Sequence, residues 1–352
     1  MKEKEPAMME ERVMSWRGEW WRALTLLATL ILPAVASTDV KQRAFEFSYS
    51  AEVDHIPNGA RKVSIWLPYP VSDPNQEISD VKVTCRYPTS IKHDPEYGNS
   101  VLHVSLDNPK ESSVAVQLGF RVLRREYVRN DFARVDGEAG GSSDGTMKRW
   151  LGPDKLVPLD GRIRKIAQEI TQGKTNDLER ARAIYDYVVS NMKYDKSGTG
   201  WGNGDIYWAC DAKRGNCTDF HALFIGLCRA SDIPAKFAIG FPLPESRGQG
   251  EIAGYHCWAE FYLKGYGWVP VDASEASKHP EKKEYFFGAH DENRVQLSIG
   301  RDIELSPPQA GAPLNYFIYP YVEVDGVPFK DLQKKFSFRD LNMPPAQKTS
   351  VG

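Results

Sequence analysis

Three residue types that cooperate in nucleophilic catalysis occur within one stretch of the chain, Arg214 to Asp272. They are Cys217, His256 and Asp272, which are separated by 39 and 16 positions. A thiol, an imidazole and a carboxylate joined by hydrogen bonds can supply a nucleophile, a general base and a group that orients the base. We therefore predict that the thiol attacks, the imidazole transfers the proton and the carboxylate holds the imidazole.

The element that must carry the thiol is a helix. Residues 216–230 contain apolar residues at helical spacing, and Asn216 is a suitable N-cap before Cys217. The first turn of a helix has free backbone N–H groups, and these groups and the helix dipole favour a negative charge. A thiol in that position has a lowered pKa and is partly in the reactive thiolate form. The same N–H groups can also stabilise an oxyanion.

The imidazole and the carboxylate are predicted to lie on a β-hairpin. Tyr255–Leu263 and Trp268–Asp272 are short apolar runs on either side of a glycine-containing turn. A three-residue loop, Lys264–Tyr266, would place Asp272 diagonal to His256 on one face, about 7–8 Å away between backbones. A symmetric four-residue loop would place the two residues on opposite faces. We therefore predict an odd-length loop or a bulge at this turn.

Other roles are open to these residues. A buried cysteine is often only a small hydrophobic residue, and a strand histidine is often a core residue. His221 lies four residues after Cys217 on the same helical face and competes for the role of the base. We favour His256, because Asp272 has no other evident role in the sequence.

The chain has five cysteines, an odd number that leaves at least one thiol free in an exported protein. If Cys217 is the free one, the other four form up to two disulfides or none. A zinc site made of Cys210, Cys217, His221 and Cys228 is a further alternative, but its spacing matches none of the usual ligand pairs. We predict no metal and no cofactor.

The residues around the three candidates resemble the transglutaminase-like superfamily. The matching motifs are Gly215-Asn216-Cys217-Thr218-Asp219-Phe220-His221, Gly254-Tyr255-His256-Cys257-Trp258-Ala259-Glu260 and Gly267-Trp268-Val269-Pro270-Val271-Asp272. The resemblance covers roughly Asp177 to Ala276, with weaker similarity to bacterial exported members on both sides. It implies a papain-like α+β domain in which Cys217 is the nucleophile, His256 the base and Asp272 the orienting group. The calcium-site acidic clusters of animal transglutaminases are not evident in this sequence.

The superfamily includes transglutaminases, peptidases, amidases and inactive members, so the resemblance leaves three functions open. The first is hydrolysis of a peptide or glutamine-type amide bond through a thioester, which we slightly prefer because it needs only access of water. The second is acyl transfer to an amine. The third is a non-catalytic binding module, which is disfavoured because all three triad residue types are present.

Further site residues are assigned from the surrounding sequence. The resemblance implies an oxyanion role for an aromatic residue upstream of the cysteine, here Trp208, and wall packing is the alternative. Trp201, Tyr255 and Trp258 are assigned to the substrate groove. The glycine-dense loop 197–205 lacks Lys-Ser/Thr after its glycines, so it is not a phosphate loop. We interpret it as a mobile rim of the groove.

The length of 352 residues predicts two domains. Residues 39–128 contain short alternating runs with turn residues between them, which are typical of an all-β sandwich. Residues 129–160 are interpreted as a linker, 161–340 as the α+β catalytic domain and 341–352 as a flexible tail.

The second half of the chain adds helices and strands to the catalytic domain. Apolar stripes predict two helices before the cysteine, and Val295–Ile299 and Tyr316–Val324 are expected to complete its sheet. His290 and Arg294 are possible groove residues, although surface positions are favoured for both.

The N-terminus predicts export. A ten-residue apolar run, 23–32, precedes Ala34 and Ala36 at the positions of a signal-peptidase site, so residues 1–36 are interpreted as a signal peptide. Residues 1–22 carry five basic and five acidic side chains, and a start at Met14 would give a more typical leader. An uncleaved anchor is the alternative. A net charge of −2 without a basic patch does not favour nucleic acid as a partner. The resemblance to the transglutaminase-like superfamily implies a protein or peptide substrate, and the leader implies that it is met in the periplasm or outside the cell.

Overall fold

The computed structural model describes residues 40–134 and 147–342. The predicted signal peptide and the last ten residues of the chain lie outside the described residues, as does residue stretch 135–146 of the predicted linker. Among the residues described, no helix is both long enough and apolar enough to cross a membrane.

The elements of the described residues alternate between strands and helices only after the first third of the chain. In chain order the strands are Gln42–Val53 (β1), Lys62–Pro68 (β2), Gln76–Thr84 (β3), Thr89–His93 (β4), Ser100–Asp107 (β5), Val114–Arg125 (β6), Tyr127–Val128 (β7), Lys193–Tyr194 (β8), Arg214–Gly215 (β9), Ala235–Pro242 (β10), Gln249–Glu251 (β11), His256–Leu263 (β12), Gly267–Val271 (β13), Ala289–His290 (β14), Arg294–Ile299 (β15), Tyr321–Val324 (β16), Val327–Pro328 (β17) and Leu332–Asp340 (β18). The α-helices are Lys148–Leu151 (α1), Gly161–Thr171 (α2), Asp177–Asn191 (α3), Ile206–Ala212 (α4), Cys217–Ala230 (α5) and Ala273–Lys278 (α6).

The predicted sandwich is formed by two five-stranded antiparallel sheets. One sheet has the order β11-β18-β1-β6-β3, and the other has the order β17-β16-β2-β5-β4. Alternation in β1 buries Phe45, Phe47 and Tyr49, while the residues between them are more exposed. These residues share one core with the inward residues of β2, such as Ile65, because side chains at every second position of a strand share a face.

The C-terminal strands correct one expectation. β15 joins the catalytic sheet as predicted, whereas Tyr316–Val324 does not complete that sheet, because β16 pairs with β2 of the sandwich. β18 likewise covers the edge of β1 and buries Phe336 and Phe338. Strand alternation identifies which face of a strand is buried but not which sheet edge receives it, so the destination of these strands was not readable from the sequence.

The catalytic part is a four-stranded antiparallel sheet, β13-β12-β10-β15, packed on helices. The two helices predicted before the cysteine are α2 and α3. All fourteen residues of α5 are buried, since the sheet covers one side and the other helices surround the rest. A helix that is enclosed on every side can hold its first residue in a fixed position relative to the sheet.

Candidate active site

The thiol lies at the first turn of α5, as the sequence predicts. The Asn216 side chain accepts a hydrogen bond from the Thr218 N–H at 2.9 Å, and the Asp219 carboxylate accepts one from the Asn216 N–H at 2.9 Å. The two bonds form a capping box that fixes the turn in which Cys217 is the first helical residue. The predicted helix start is therefore confirmed.

The hairpin has the predicted three-residue loop. β12 and β13 are joined by Lys264–Tyr266, and Ala259 pairs with Val271, which is the register expected for that loop. Asp272 follows β13 directly and turns into α6 as its N-cap. This register places the carboxylate beside His256, and the His256 Nε2–H donates to Asp272 Oδ2 at 2.7 Å.

The structure brings the three predicted site residues together. Cys217, His256 and Asp272 are 2%, 5% and 0% exposed. The thiol of Cys217 and the imidazole of His256 are close enough that each shifts the pKa of the other. Since Nε2 of the ring is occupied by the carboxylate, Nδ1 is the nitrogen left for the sulfur.

The electrostatics of the three groups favour an ion pair. Burial opposes the thiolate, but hydrogen bonds from Cys257 and His256 and the charge of His256 hold the pKa of Cys217 well below 9.0. Burial also opposes the imidazolium, but the Asp272 carboxylate raises the pKa of His256 to about 10. Burial would raise the pKa of Asp272, yet His256 and Arg294 hold it well below 3.8. These shifts favour a thiolate, an imidazolium and a carboxylate over the neutral forms of the three groups.

His221, the competing base, is occupied by structural hydrogen bonds. Its Nδ1 donates to the Cys217 carbonyl at 2.8 Å, and its Nε2 accepts from the Ala273 N–H at 3.2 Å. Both ring nitrogens are therefore used, and the ring is neutral because a nitrogen that accepts a hydrogen bond carries no proton. Burial lowers the pKa of His221 in agreement with this state. The ring ties the start of α5 to the start of α6.

Asp272 has further partners that sequence reasoning did not assign. Its Oδ1 accepts from the Ser274 hydroxyl at 3.1 Å and from the Glu275 N–H at 3.0 Å. Arg294 Nη1 donates to Oδ2 at 3.1 Å. Arg294 is buried, so the surface position favoured for it is wrong, and so is that of His290, which is fully buried behind the hairpin. Both positions follow from pairing between strands distant in sequence, β15 with β10 for Arg294 and β14 with β7 for His290, and no local pattern indicates it.

The glycine-dense loop is anchored to the site, which differs from the expected mobile rim. Asp219 Oδ2 accepts from the Gly202 N–H at 2.7 Å, and Oδ1 accepts from the Gly204 N–H at 3.0 Å. The Arg301 guanidinium donates to the carbonyls of Gly204 and Asn203 at 2.9 Å each. A buried carboxylate and a buried guanidinium therefore clamp the loop beside the start of α5.

The aromatic residues assigned to the site occupy different places. The indole of Trp208 packs against Gly200 of the loop and lies 5.8 Å from the guanidinium carbon of Arg214, so its described contacts are those of a wall residue. Trp201 is part of the same loop and donates to the Gly198 carbonyl at 3.1 Å. Trp258 is 1% exposed and lines a different cleft, together with Glu260 and Trp268, from the one at His256.

Two tyrosines lie near the thiol: Tyr255, which was assigned to the groove, and Tyr194, which was not assigned to the site from the sequence. The Tyr255 hydroxyl lies 2.7 Å from Thr218 Oγ1 and accepts from Asn216 Nδ2 at 3.0 Å. Burial and the nearby charge of Cys217 raise the pKa values of Tyr255 and Tyr194. The two hydroxyls therefore keep their protons at neutral pH.

A cleft of about 800 Å³ opens at His256 and Tyr255. Its walls carry both basic and acidic side chains, among them Lys278 and Glu275, which form an ion pair. Glu275 also lies 3.7 Å from His256 Nε2. Within the described part of the chain, the potential metal ligands that converge to within 4.8 Å are His256, Asp272 and Glu275.

The cysteines are all free thiols, and all five belong to the described residues. Cys257 lies beside the site, with its Sγ 3.8 Å from Thr218 Oγ1 and 3.8 Å from His221 Nδ1. Burial raises the pKa values of Cys257 and Cys228 well above 9.0, so neither competes with Cys217 as a thiolate. The four residues considered as zinc ligands do not form such a cluster among the residues described.

An α+β domain with a buried helix that starts at a cysteine, and a facing hairpin that carries a histidine and an aspartate, defines a transglutaminase-like fold. Residues 164–273 match the family model of the transglutaminase-like superfamily. The matched stretch contains Cys217, His256 and Asp272, so the similarity to the superfamily includes all three candidate residues.

Three known proteins show how far the similarity extends. An uncharacterized protein of Haemophilus influenzae is 27% identical over 327 residues, which cover 83% of this chain and 88% of that protein. The kyphoscoliosis peptidase of Mus musculus is 24% identical over 131 residues, which cover 34% of this chain and only 19% of the peptidase. A solved structure from Cytophaga hutchinsonii, described as a candidate cysteine protease, has a TM-score of 0.57 at 16% identity and covers 87% of this chain and 94% of its own. The last similarity extends the shared fold to the sandwich.

Proposed function

We propose that this chain is a cysteine-nucleophile enzyme that acts on peptide or glutamine-type amide bonds of a protein or peptide, with hydrolysis as its reaction. The observation that carries the proposal is the convergence of the three groups, in which a buried carboxylate 2.7 Å from His256 supports an imidazolium beside the Cys217 thiol. The peptidase among its relatives agrees with an amide substrate.

The reaction divides into two steps. The Cys217 thiolate attacks the carbonyl carbon, so a C–S bond forms and the carbonyl oxygen takes the negative charge near the Cys217 N–H at the start of α5. The His256 imidazolium then donates its proton to the amide nitrogen of the substrate, and the C–N bond breaks. The amine departs, and the acyl group stays on Cys217 as a thioester. Neutral His256 next accepts a proton from water that attacks the thioester, and the thiolate is released with the acid product. Asp272 keeps the imidazole oriented in both steps.

Acyl transfer is the second candidate, because the thiol is almost completely buried. Cys217 is 2% exposed, and Tyr194 and Tyr255 stand beside it. An amine that enters the cleft would attack the thioester in place of water and leave an amide. A binding module is the third candidate, and it requires no reactive thiol.

One experiment separates the three candidates. A denatured, glutamine-containing protein is incubated with the enzyme, with and without a biotinylated primary amine, and Cys217→Ala serves as the matched control. Hydrolysis predicts new termini or deamidation that does not need the amine, and transfer predicts incorporation of biotin. If neither product forms and iodoacetamide does not label Cys217 selectively near neutral pH, the enzyme proposal is wrong and the binding module remains.

We also propose export to the periplasm or beyond, on the sequence of residues 1–36 alone. The mature protein is then expected to begin at Ser37. Mass spectrometry of the intact protein recovered from the exported fraction tests this, since retention of the leader would support an anchor.

A further inference from the structure

A buried arginine contacts the carboxylate of the candidate triad. The side chain of Arg294 is 3% exposed, and its Nη1 donates to Asp272 Oδ2 at 3.1 Å. Its Nε lies 3.4 Å from Asp291 Oδ1. The guanidinium carbon is 4.9 Å from the centre of the Trp258 ring, so the aromatic face covers it. The position of the guanidinium is therefore set on several sides.

One carboxylate oxygen of Asp272, Oδ2, accepts hydrogen bonds from two cationic side chains. The same carboxylate oxygen accepts from His256 Nε2 at 2.7 Å and from Arg294 at 3.1 Å. A lone buried carboxylate would stabilise an adjacent imidazolium strongly and make it a weak acid. A second cation on the same oxygen competes for that charge, so the imidazolium releases its proton more readily.

We propose that Arg294 is a positioning residue of the triad: it fixes Asp272 and shares its charge, so that His256 can both hold and release the proton. This rests on the proposed function, because it assigns a role in the same site. Arg294 does not contact the reacting atoms. It acts through the carboxylate, and Asp291 in turn offsets part of the charge of Arg294.

Other charged and titratable groups face the same carboxylate, imidazole and guanidinium. From α5 His221 lies 3.7 Å from Asp272 Oδ1, and from α6 Glu275 lies 3.7 Å from His256 Nε2. The remaining groups that act electrostatically on these side chains are Arg124 from β6, Tyr185 from α3, Tyr194 from β8, Cys217 from α5, Cys257 from β12, His290 from β14 and Asp291 from the turn before β15. A variant of Arg294 retains all of these other groups. A difference in pH dependence between the variant and the wild type therefore reports the substitution at position 294.

Opposite substitutions are expected to have opposite effects. Arg294→Gln removes a positive charge, which makes the imidazolium and the thiol weaker acids. The pH at which half of Cys217 reacts with iodoacetamide should then move up by about half a unit to one unit. Asp291→Asn removes a negative charge and leaves Arg294 in place, so the same midpoint should move down. Arg294→Lys keeps the charge without the planar fork and should restore the midpoint while activity stays below wild type.

The test measures labelling of Cys217 by iodoacetamide against pH with peptide mapping, which needs no known substrate. Arg229→Gln is the matched control: Arg229 is equally buried and pairs with Asp154 at 2.7 Å near the far end of α5. It is expected to lower the melting temperature without moving the midpoint. Titration of ¹⁵N-labelled His256 by NMR should show shifts of the same sign as the thiol. If Arg294→Gln does not fold, Asp291→Asn still decides the question.

Different results would contradict the proposed function and the role of Arg294. A wild-type midpoint at or above that of an ordinary thiol would overturn the proposed function itself. A lowered wild-type midpoint that stays unchanged in Arg294→Gln and Asp291→Asn would leave the function intact and show that Arg294 is only a structural residue.

Discussion

Burial alone would make Cys217 an inert thiol, because an apolar environment disfavours the thiolate. The neighbours of the sulfur reverse this preference. His256 and Cys257 both favour the charged form of the thiol, and the dipole of α5 acts in the same direction. At the residue scale, reactivity is therefore a property of the contact between two side chains and not of the cysteine itself.

This dependence predicts the effect of removing each histidine. In His256→Ala the pKa of Cys217 should rise to the ordinary thiol range or above, because burial then acts without the imidazolium. Turnover should fall by roughly 100- to 10,000-fold. The pH profile of thiol labelling measures the first effect, with its midpoint moving to higher pH.

His221→Asn is the matched comparison. It breaks two buried hydrogen bonds and should cost about 1–3 kcal/mol of the free energy of unfolding. The labelling midpoint should nevertheless remain low, because the His256 pair is intact. A raised midpoint in His221→Asn together with an unchanged one in His256→Ala would exchange the roles of the two histidines.

The parts of the site that depend on residues close together in the sequence could be predicted. The N-cap at Asn216 and the three-residue hairpin loop depend on a few neighbouring residues, so helix start, register and the meeting of His256 with Asp272 could be read directly. The hydrogen-bond partners of Asp272 could not be predicted in this way. Arg294 reaches it because β15 pairs with β10, a contact between strands that are distant in sequence.

At the scale of elements, the start of α5 and the glycine-dense loop form one unit. A single buried carboxylate, Asp219, accepts hydrogen bonds from the backbone of both. Gly215 approaches this carboxylate so closely, with φ of +151°, that a Cβ there would collide with it. A Cβ at Gly200 would likewise collide with Trp208, and one at Gly204 with Thr218, so glycines in this region serve close packing, whereas the sequence alone suggested flexibility.

Asp219→Asn should release the loop. The amide group replaces one carboxylate oxygen by a donor, so at least one of the three N–H groups loses its acceptor. The free energy of unfolding should fall by about 1–3 kcal/mol, and the amides of Gly202 and Gly204 should exchange hydrogen faster. Hydrogen-exchange mass spectrometry measures this, with Asp195→Asn as the control.

Asp195 lies just before the same loop and accepts from the Ser197 N–H at 2.8 Å, but it does not hold the glycines. Its substitution should leave the exchange of Gly202 and Gly204 as in the wild type. Equal exchange in Asp219→Asn and wild type would mean that Arg301 alone suffices to hold the loop.

At the scale of the whole molecule, the sandwich and the catalytic sheet share a core. From Val40 onward the chain forms one compact unit. Phe241 of β10 lies 5.3 Å from Phe47 of β1 and 4.3 Å from Phe336 of β18, measured between ring centres. The Tyr49 hydroxyl donates to the Ile318 carbonyl at 3.0 Å. The predicted boundaries at 39–128 and 161–340 thus separate strands that pack together.

This packing predicts one cooperative unfolding transition for the chain from residue 40 onward. Calorimetry should give a single peak whose calorimetric and van't Hoff enthalpies agree. Phe241→Ala removes a ring that both sheets contact, so it should lower the free energy of unfolding by about 3–5 kcal/mol and move the whole peak. Ile91→Ala, on β4 and 47% exposed, is the control and should change little. Two separate peaks, of which Phe241→Ala moves only one, would show that the sandwich and the catalytic sheet unfold independently despite their shared core.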